Sequence, residues 1–185
     1  MVTTDRRTVL ADAALDVLAG AGMRGLTHRA VDRAADLPPG TTSAYYRTRQ
    51  ALLTALVRRL VDLDQAELRQ AGEAPPPRDV EELVAGLAAF TERRLTGDGR
   101  RRSLARYACA VESVRHPELR EILVPRENAA RTALRDFLAA RGAADAEGRT
   151  LTLLACVDGL VFDRLLGGGG VLEEEIRGLV EAALR

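Results

Sequence analysis

The chain's 185 residues are enough for one sizeable core, or for a small domain beside a larger one. With 46% hydrophobic but only 3% aromatic residues and no Trp, the interior has to be built from Ala, Leu and Val, which predicts an all-α fold of packed helices. Net charge is zero, so bulk charge neither requires nor excludes a polyanionic partner, and the most apolar stretch, residues 151–166, is too short and too interrupted by Asp158, Asp163 and Arg164 to span a membrane.

The first predicted helix covers residues 4–19, with Val9, Leu10, Ala13, Ala14, Val17 and Leu18 on one face. Thr4 is placed to cap it, Asp5 suits the positive end of its dipole, and Gly20 and Gly22 end it. Thr27 then stands at an N-cap, followed by a helix over 28–36 with Ala30, Val31, Ala34 and Ala35 inward. Leu37-Pro38-Pro39-Gly40 breaks that helix, and Pro39 fits the first position of a short helix reaching Tyr46. Two short helices joined by a tight turn and buttressed by a first helix form a helix-turn-helix.

After Thr48, a further N-cap, an amphipathic helix carries Leu52, Leu53, Leu56, Leu60, Val61 and Leu63 past residue 68, and Ala74-Pro75-Pro76-Pro77 interrupts it. Helices follow over 79–95, closed by Gly97-Asp98-Gly99, over 101–115, and on to Arg141-Gly142 with an irregularity at Pro125. The last two, 146–166 and the stripe Leu172, Ile176, Leu179, Val180, Ala183 and Leu184, bring the expected total to about nine. The penultimate helix is apolar almost all round, so the pair is expected to form a two-fold four-helix bundle with a second copy; the alternative is that both helices only complete the chain's own core.

Charge is not evenly spread. Residues 1–60 hold nine Arg against five Asp, and the remainder eighteen Arg against twenty-two acids. A basic first third beside an acidic remainder suits a polyanion-binding head on a body that does not share that role. The N-terminal residues of the second helix in a helix-turn-helix meet base edges in the major groove, which nominates Thr41, Thr42, Ser43 and Ala44. Thr27 is placed to offer its hydroxyl and backbone N–H to a phosphate, with Tyr45, Arg47 and Arg49 as further phosphate contacts and His28 a surface residue nearby. Tyr46 is expected to pack against the first helix.

Gly25-Leu26-Thr27-x-Arg29, Leu37-Pro38-Pro39-Gly40-Thr41-Thr42 and Tyr45-Tyr46-Arg47-Thr48-Arg49-Gln50-Ala51-Leu52 resemble the signature of the tetracycline-repressor (TetR) family over about residues 4–64. Pro39 stands where that pattern often has Lys, Thr42 where it has an aliphatic residue, and Ser43 where it often has Tyr. The resemblance implies a DNA-binding domain over residues 1–60 and a helical regulatory and dimerisation domain over 61–185. It also implies a homodimer on a palindromic duplex operator, with Arg29 reaching a guanine and a small-molecule effector controlling a transcription repressor. The lining expected for the effector pocket is Phe90, Tyr107, Cys109, Val114, Phe137, Leu154 and Phe162. The departures at Pro39, Thr42 and Ser43 keep an alternative open: a helical ligand-binding or scaffold dimer with weakened DNA binding.

Other constellations carry little chemistry. Cys109 and Cys156 lack metal-site spacing and read as two reduced, buried thiols of a cytoplasmic protein, and no signal-like apolar segment follows Met1. Glu112 and His116 share a helical face, yet two ligands fall short of a metal site. Gly167-Gly168-Gly169-Gly170 has no preceding strand and no following Lys, so it reads as a turn between helices. With no nucleophile beside a base, no enzyme activity, cofactor or metal is expected.

Overall fold

The computed structural model describes residues 5–72, 75–123 and 129–185. Ten α-helices and no strand occur among them: α1 Arg6–Gly25, α2 His28–Ala34, α3 Thr41–Tyr45, α4 Arg49–Gly72, α5 Val80–Leu95, α6 Gly97–Ser113, α7 Pro117–Leu123, α8 Ala129–Ala140, α9 Ala146–Gly167 and α10 Glu173–Leu184. The all-α expectation holds. One helix more than expected is found, because the stretch from Pro117 towards Arg141 is divided into α7 and α8. The expected cap Thr4, the interrupting Ala74 and the irregularity at Pro125 lie outside the described residues.

Two compact units divide the chain, one bounded by Met1–Gln65 and Arg101–Pro125, the other by Ala66–Arg100 and Arg126–Arg185. In the first, Leu10, Ala14 and Leu18 of α1 meet Leu26, Val31, Tyr46 and the Leu52, Leu53, Leu56, Val57 and Leu60 ridge of α4. Ala105 and Cys109 of α6, with Leu119 and Leu123 of α7, close the same core. A fully buried Leu contributes about 2 kcal/mol by leaving water, so this ridge holds the three short helices that could not persist alone. Arg59 adds a two-pronged ion pair to Asp12 (Nε–Oδ1 2.6 Å, Nη2–Oδ2 3.1 Å), tying α4 to α1.

The second unit packs α5, α8, α9 and α10 around Leu83, Val84, Leu134, Phe137, Leu138, Leu153, Val157, Ile176 and Val180. Asp79 caps α5 by accepting from Glu82 N at 2.9 Å, and Asp145 caps α9 by accepting from Gly148 N at 3.1 Å. Arg164 donates to Gly170 O at 3.0 Å and to Glu175 Oε1 at 2.7 Å, so the four-glycine turn is tied to the start of α10. Arg177 of α10 reaches Glu81 of α5 at 2.6 Å. No helix among the described residues is long and apolar enough to cross a membrane.

Several expected boundaries shift for identifiable reasons. Gly22, at φ 66°, breaks the α1 spiral where expected, but a last turn resumes beyond it and carries the helix to Gly25. Pro39 is not the first residue of α3; it sits in the turn, and Gly40 occupies the position just before the helix in the left-handed conformation at φ 92°. Gly97-Asp98-Gly99 does not close α5 but forms the first turn of α6. Ala34 is exposed, because α2 is only two turns long and Val31 alone supplies its apolar anchor. Cys156 is exposed on α9 and only Cys109 is buried, where burial pushes its thiol up to about 12.

Candidate nucleic-acid interface

The helix-turn-helix is built outward from one buried acid. Asp32 of α2 is 2% exposed, and its carboxylate accepts from Gly40 N at 2.8 Å, Thr42 N at 2.7 Å and the Thr42 hydroxyl at 2.5 Å. α3 begins with no cap of its own, since Gly40 has no side chain; α2 supplies that cap from across the turn. Burial works to push the Asp32 carboxyl up. The Thr42 hydroxyl, the Thr42 and Gly40 amides and the nearby His28 outweigh it, holding the pKa below the usual carboxylate range.

This network corrects one expected base-reading residue. Thr42 is fully buried and its hydroxyl is committed to Asp32, so it faces the interior and not a groove. The position that is aliphatic in the resembling pattern is thus a core position here, with a hydroxyl–carboxylate bond in place of a methyl contact. His28 is likewise half-buried, donating from Nε2 to Tyr46 O at 2.7 Å, and fastens the start of α2 to the end of α3. Its expected surface role gives way to that clamp. Tyr46 is buried, as expected, and its hydroxyl donates to Arg7 O at 3.3 Å.

The remaining expected contacts lie at the surface. Thr27 caps α2, accepting from Ala30 N at 3.2 Å, and stays exposed. Arg29, Ser43, Ala44, Tyr45 and Arg47 are exposed, and the half-buried Thr41 donates its hydroxyl to Pro38 O at 2.7 Å. Arg49 is exposed but directs Nη2 to Met23 O at 2.7 Å, which closes the end of α1 and leaves fewer of its donors for a phosphate. Arg7, Arg29, Arg33 and Arg47 have no carboxylate partner among the described residues. Arg59, Arg78, Arg93, Arg106, Arg164 and Arg177 do have one. An exposed basic surface with its charges uncommitted is what a phosphate backbone engages.

Sequence reasoning missed Asp32 because its partners lie eight and ten residues away, beyond the reach of a local capping pattern. The only available signal was an acid at a position next to the buried Val31. Because the folded pKa is lowered from its ordinary value, the network's stabilisation is complete above the unfolded Asp value of about 4. It drains away as pH falls through the folded value. Acid titration of unfolding free energy is expected to show this component in the wild type and to lack it in Asp32→Asn.

The residues expected to line the pocket are divided between the two units. Tyr107, Cys109 and Val114 belong to the first unit, and Phe90, Phe137, Leu154 and Phe162 to the second. Cys109 and Phe137 are core residues, the Phe137 ring lying 3.5 Å from the Arg141 guanidinium carbon. Val114 is 82% and Phe162 44% exposed, too open to line a closed cavity within the chain. Phe90 and Leu154 are half-buried against the second core, and Tyr107 is half-buried on α6. Glu112 and Glu118 each approach a ring nitrogen of His116, at 3.5 and 3.4 Å. No group of three or more His, Cys, Asp or Glu able to hold a metal ion occurs among the described residues.

The first unit therefore presents a DNA-binding helix-turn-helix with α2 and α3 held by a buried acid. Residues 78–185 match the tetracyclin repressor-like C-terminal domain. The chain is 30% identical, over 88% of its length and 83% of the relative's, to the HTH-type transcriptional regulator BetI of Paraburkholderia phytofirmans. Among solved structures it resembles a transcriptional regulator from Rhodococcus sp. Rha1 (TM-score 0.78, 27% identity, covering 97% of this chain and 94% of that one). It also resembles the multidrug binding protein EbrR complexed with ethidium (TM-score 0.70, 28% identity, covering 98% and 99%). The chain belongs to the TetR family of helix-turn-helix transcriptional regulators.

Proposed function

We propose that this regulator is a homodimeric repressor that occupies a palindromic operator and leaves it when a small molecule binds. The observation that carries the DNA-reading part is that Arg29 on α2, with no carboxylate partner among the described residues, and Ser43 and Ala44 of α3 are all exposed. With Thr42 turned inward, the reading surface is Arg29, Thr41, Ser43 and Ala44. Thr27, Tyr45 and Arg47 hold register on the phosphates, and Arg49 contributes from the donors its Met23 bond leaves over. Arg29 is the only long hydrogen-bonding side chain in the reading set, and a guanidinium matches the two acceptors of guanine.

Arg29→Ala is expected to relax sequence preference and cost about 1–3 kcal/mol at a single base pair. Binding of the variant to a panel of singly substituted operators is the test. A loss equal across the panel, visible only in the salt dependence, would remove Arg29 from the reading set.

Dimerisation is supported by α9. Thr150, Leu153, Val157, Val161 and Leu165 fill the chain's own core, while Leu151, Phe162 and Leu166 are exposed with Ala155 and Gly159 between them at helical spacing. An exposed apolar stripe with small central residues admits the close approach of a second copy. The effector belongs to residues 78–185, the part that matches the family's C-terminal domain. EbrR has been solved with ethidium, proflavin and malachite green. The 3% aromatic content here favours an effector held by aliphatic contact over a stacked planar one. To release DNA, it must bind the free state better than the operator-bound state by as much as operator affinity falls.

A further inference from the structure

We infer that Arg7, at the start of α1, is a phosphate-binding residue of the operator interface and that Tyr45 holds its guanidinium in place. This rests on the DNA-binding reading of the first unit. Arg7 occupies the second position of α1, two residues after the N-cap Asp5, at the end of the helix where the dipole disfavours a cation. It is exposed and has no carboxylate partner among the described residues. What it does touch is α3. Its guanidinium carbon lies 5.5 Å from the centroid of the Tyr45 ring and 5.7 Å from that of Tyr46, and its carbonyl accepts the Tyr46 hydroxyl.

The two tyrosines differ in what they can do. Tyr46 is buried and fixes the backbone of α1 against the end of α3, while Tyr45 is 38% exposed beside the reading surface. The charge of a guanidinium over a ring face is attracted by the ring's quadrupole, and with five N–H donors it keeps some to pair with phosphate oxygens. A long arginine free in solution would lose rotamer freedom on binding DNA; one already lying against an aromatic ring loses less. The juxtaposition thus carries a positive charge from the first helix to the edge of the recognition helix.

The test is a salt series with the full chain and a duplex recovered by selection from random DNA, from about 0.05 to about 0.3 M salt. Arg7→Ala is expected to flatten the log–log salt slope by about 0.9 and to weaken binding roughly 5-fold near 0.15 M salt, equally on matched and mismatched duplexes. Arg7→Gln supplies the same readout should the alanine variant melt early, and Arg7→Lys is expected to keep the slope. Tyr45→Leu is expected to weaken binding more in the wild-type background than in Arg7→Ala. A wild-type slope in Arg7→Ala or Arg7→Gln overturns the phosphate contact, and equal effects of Tyr45→Leu in both backgrounds overturn the positioning role. Absence of wild-type binding at the lowest salt would instead overturn the DNA-binding reading itself.

Discussion

Asp32→Ala is expected to lower the stability of the helix-turn-helix by roughly 2–3 kcal/mol and to abolish operator binding without unfolding the second unit. The carboxylate satisfies two backbone N–H groups and one hydroxyl. Thr42 is fully buried, so its amide and hydroxyl would be left unpaired away from water, at about 1–3 kcal/mol for such groups. Gly40 is exposed, so its amide regains a water and adds little. Asp32→Asn is expected to fall between, because an amide keeps one acceptor for Thr42 but turns a donor towards the Gly40 N–H. Thr42→Val removes only the hydroxyl and is expected to cost about 1 kcal/mol. Hydrogen exchange at the Thr42 amide reports the local effect, and urea unfolding the global one. Unchanged exchange in Asp32→Ala would mean that α3 is capped by something else.

The second large effect is expected from α9. Phe162→Asp combined with Leu166→Asp places two carboxylates on the face proposed to meet a second copy. Both positions are exposed within the single chain, at 44% and 74%, so the monomer's own stability should change by no more than about 0.5 kcal/mol. In an apolar interface the same charges carry a desolvation cost of several kcal/mol with no partner to offset it. Sedimentation is expected to show the wild type at twice 20.0 kDa and the variant at 20.0 kDa. Operator affinity should fall by about 10²–10⁴-fold, since each head must then bind without its tethered twin. A variant that remains dimeric would move the interface off α9.

These expectations also show what the sequence could and could not disclose. Thr27, Thr48, Asp79 and Asp145 act within three residues of their own position, so local chemistry suffices to place such caps. The Leu10, Leu18, Leu52, Leu56 and Leu60 faces follow from helical spacing. Asp32 could not be seen this way, because its role depends on how the turn folds α3 back over α2. Thr42 was misread for the same reason: a hydroxyl in a recognition helix looks outward until its carboxylate partner is known. A pocket lining is hard to read from sequence on different grounds. Apolar residues on α5, α6, α8 and α9 look alike in sequence whether they fill a core, as Phe137 does, or stand open to solvent, as Val114 does. Phe162 and Leu166 look like core on hydropathy alone, and only the buried opposite face of α9 shows that they lie on its exposed side.

As proposed, Arg29 and Arg7 divide the DNA interface by kind of contact. Loss of Arg29 should appear at one base pair, and loss of Arg7 equally on every duplex together with a flatter salt slope. That separation is measurable on a single set of duplexes and distinguishes sequence reading from positioning.

The most direct measurement is selection of duplexes from random DNA by the purified full chain, followed by binding of the recovered sequences at rising salt. A dimeric operator-binding repressor is expected to enrich a palindrome with half-sites about one helical turn apart, or a multiple of it, bound ever more weakly as salt rises. No enrichment, together with no duplex binding even at low salt, would contradict it and leave a helical dimer that no longer reads DNA.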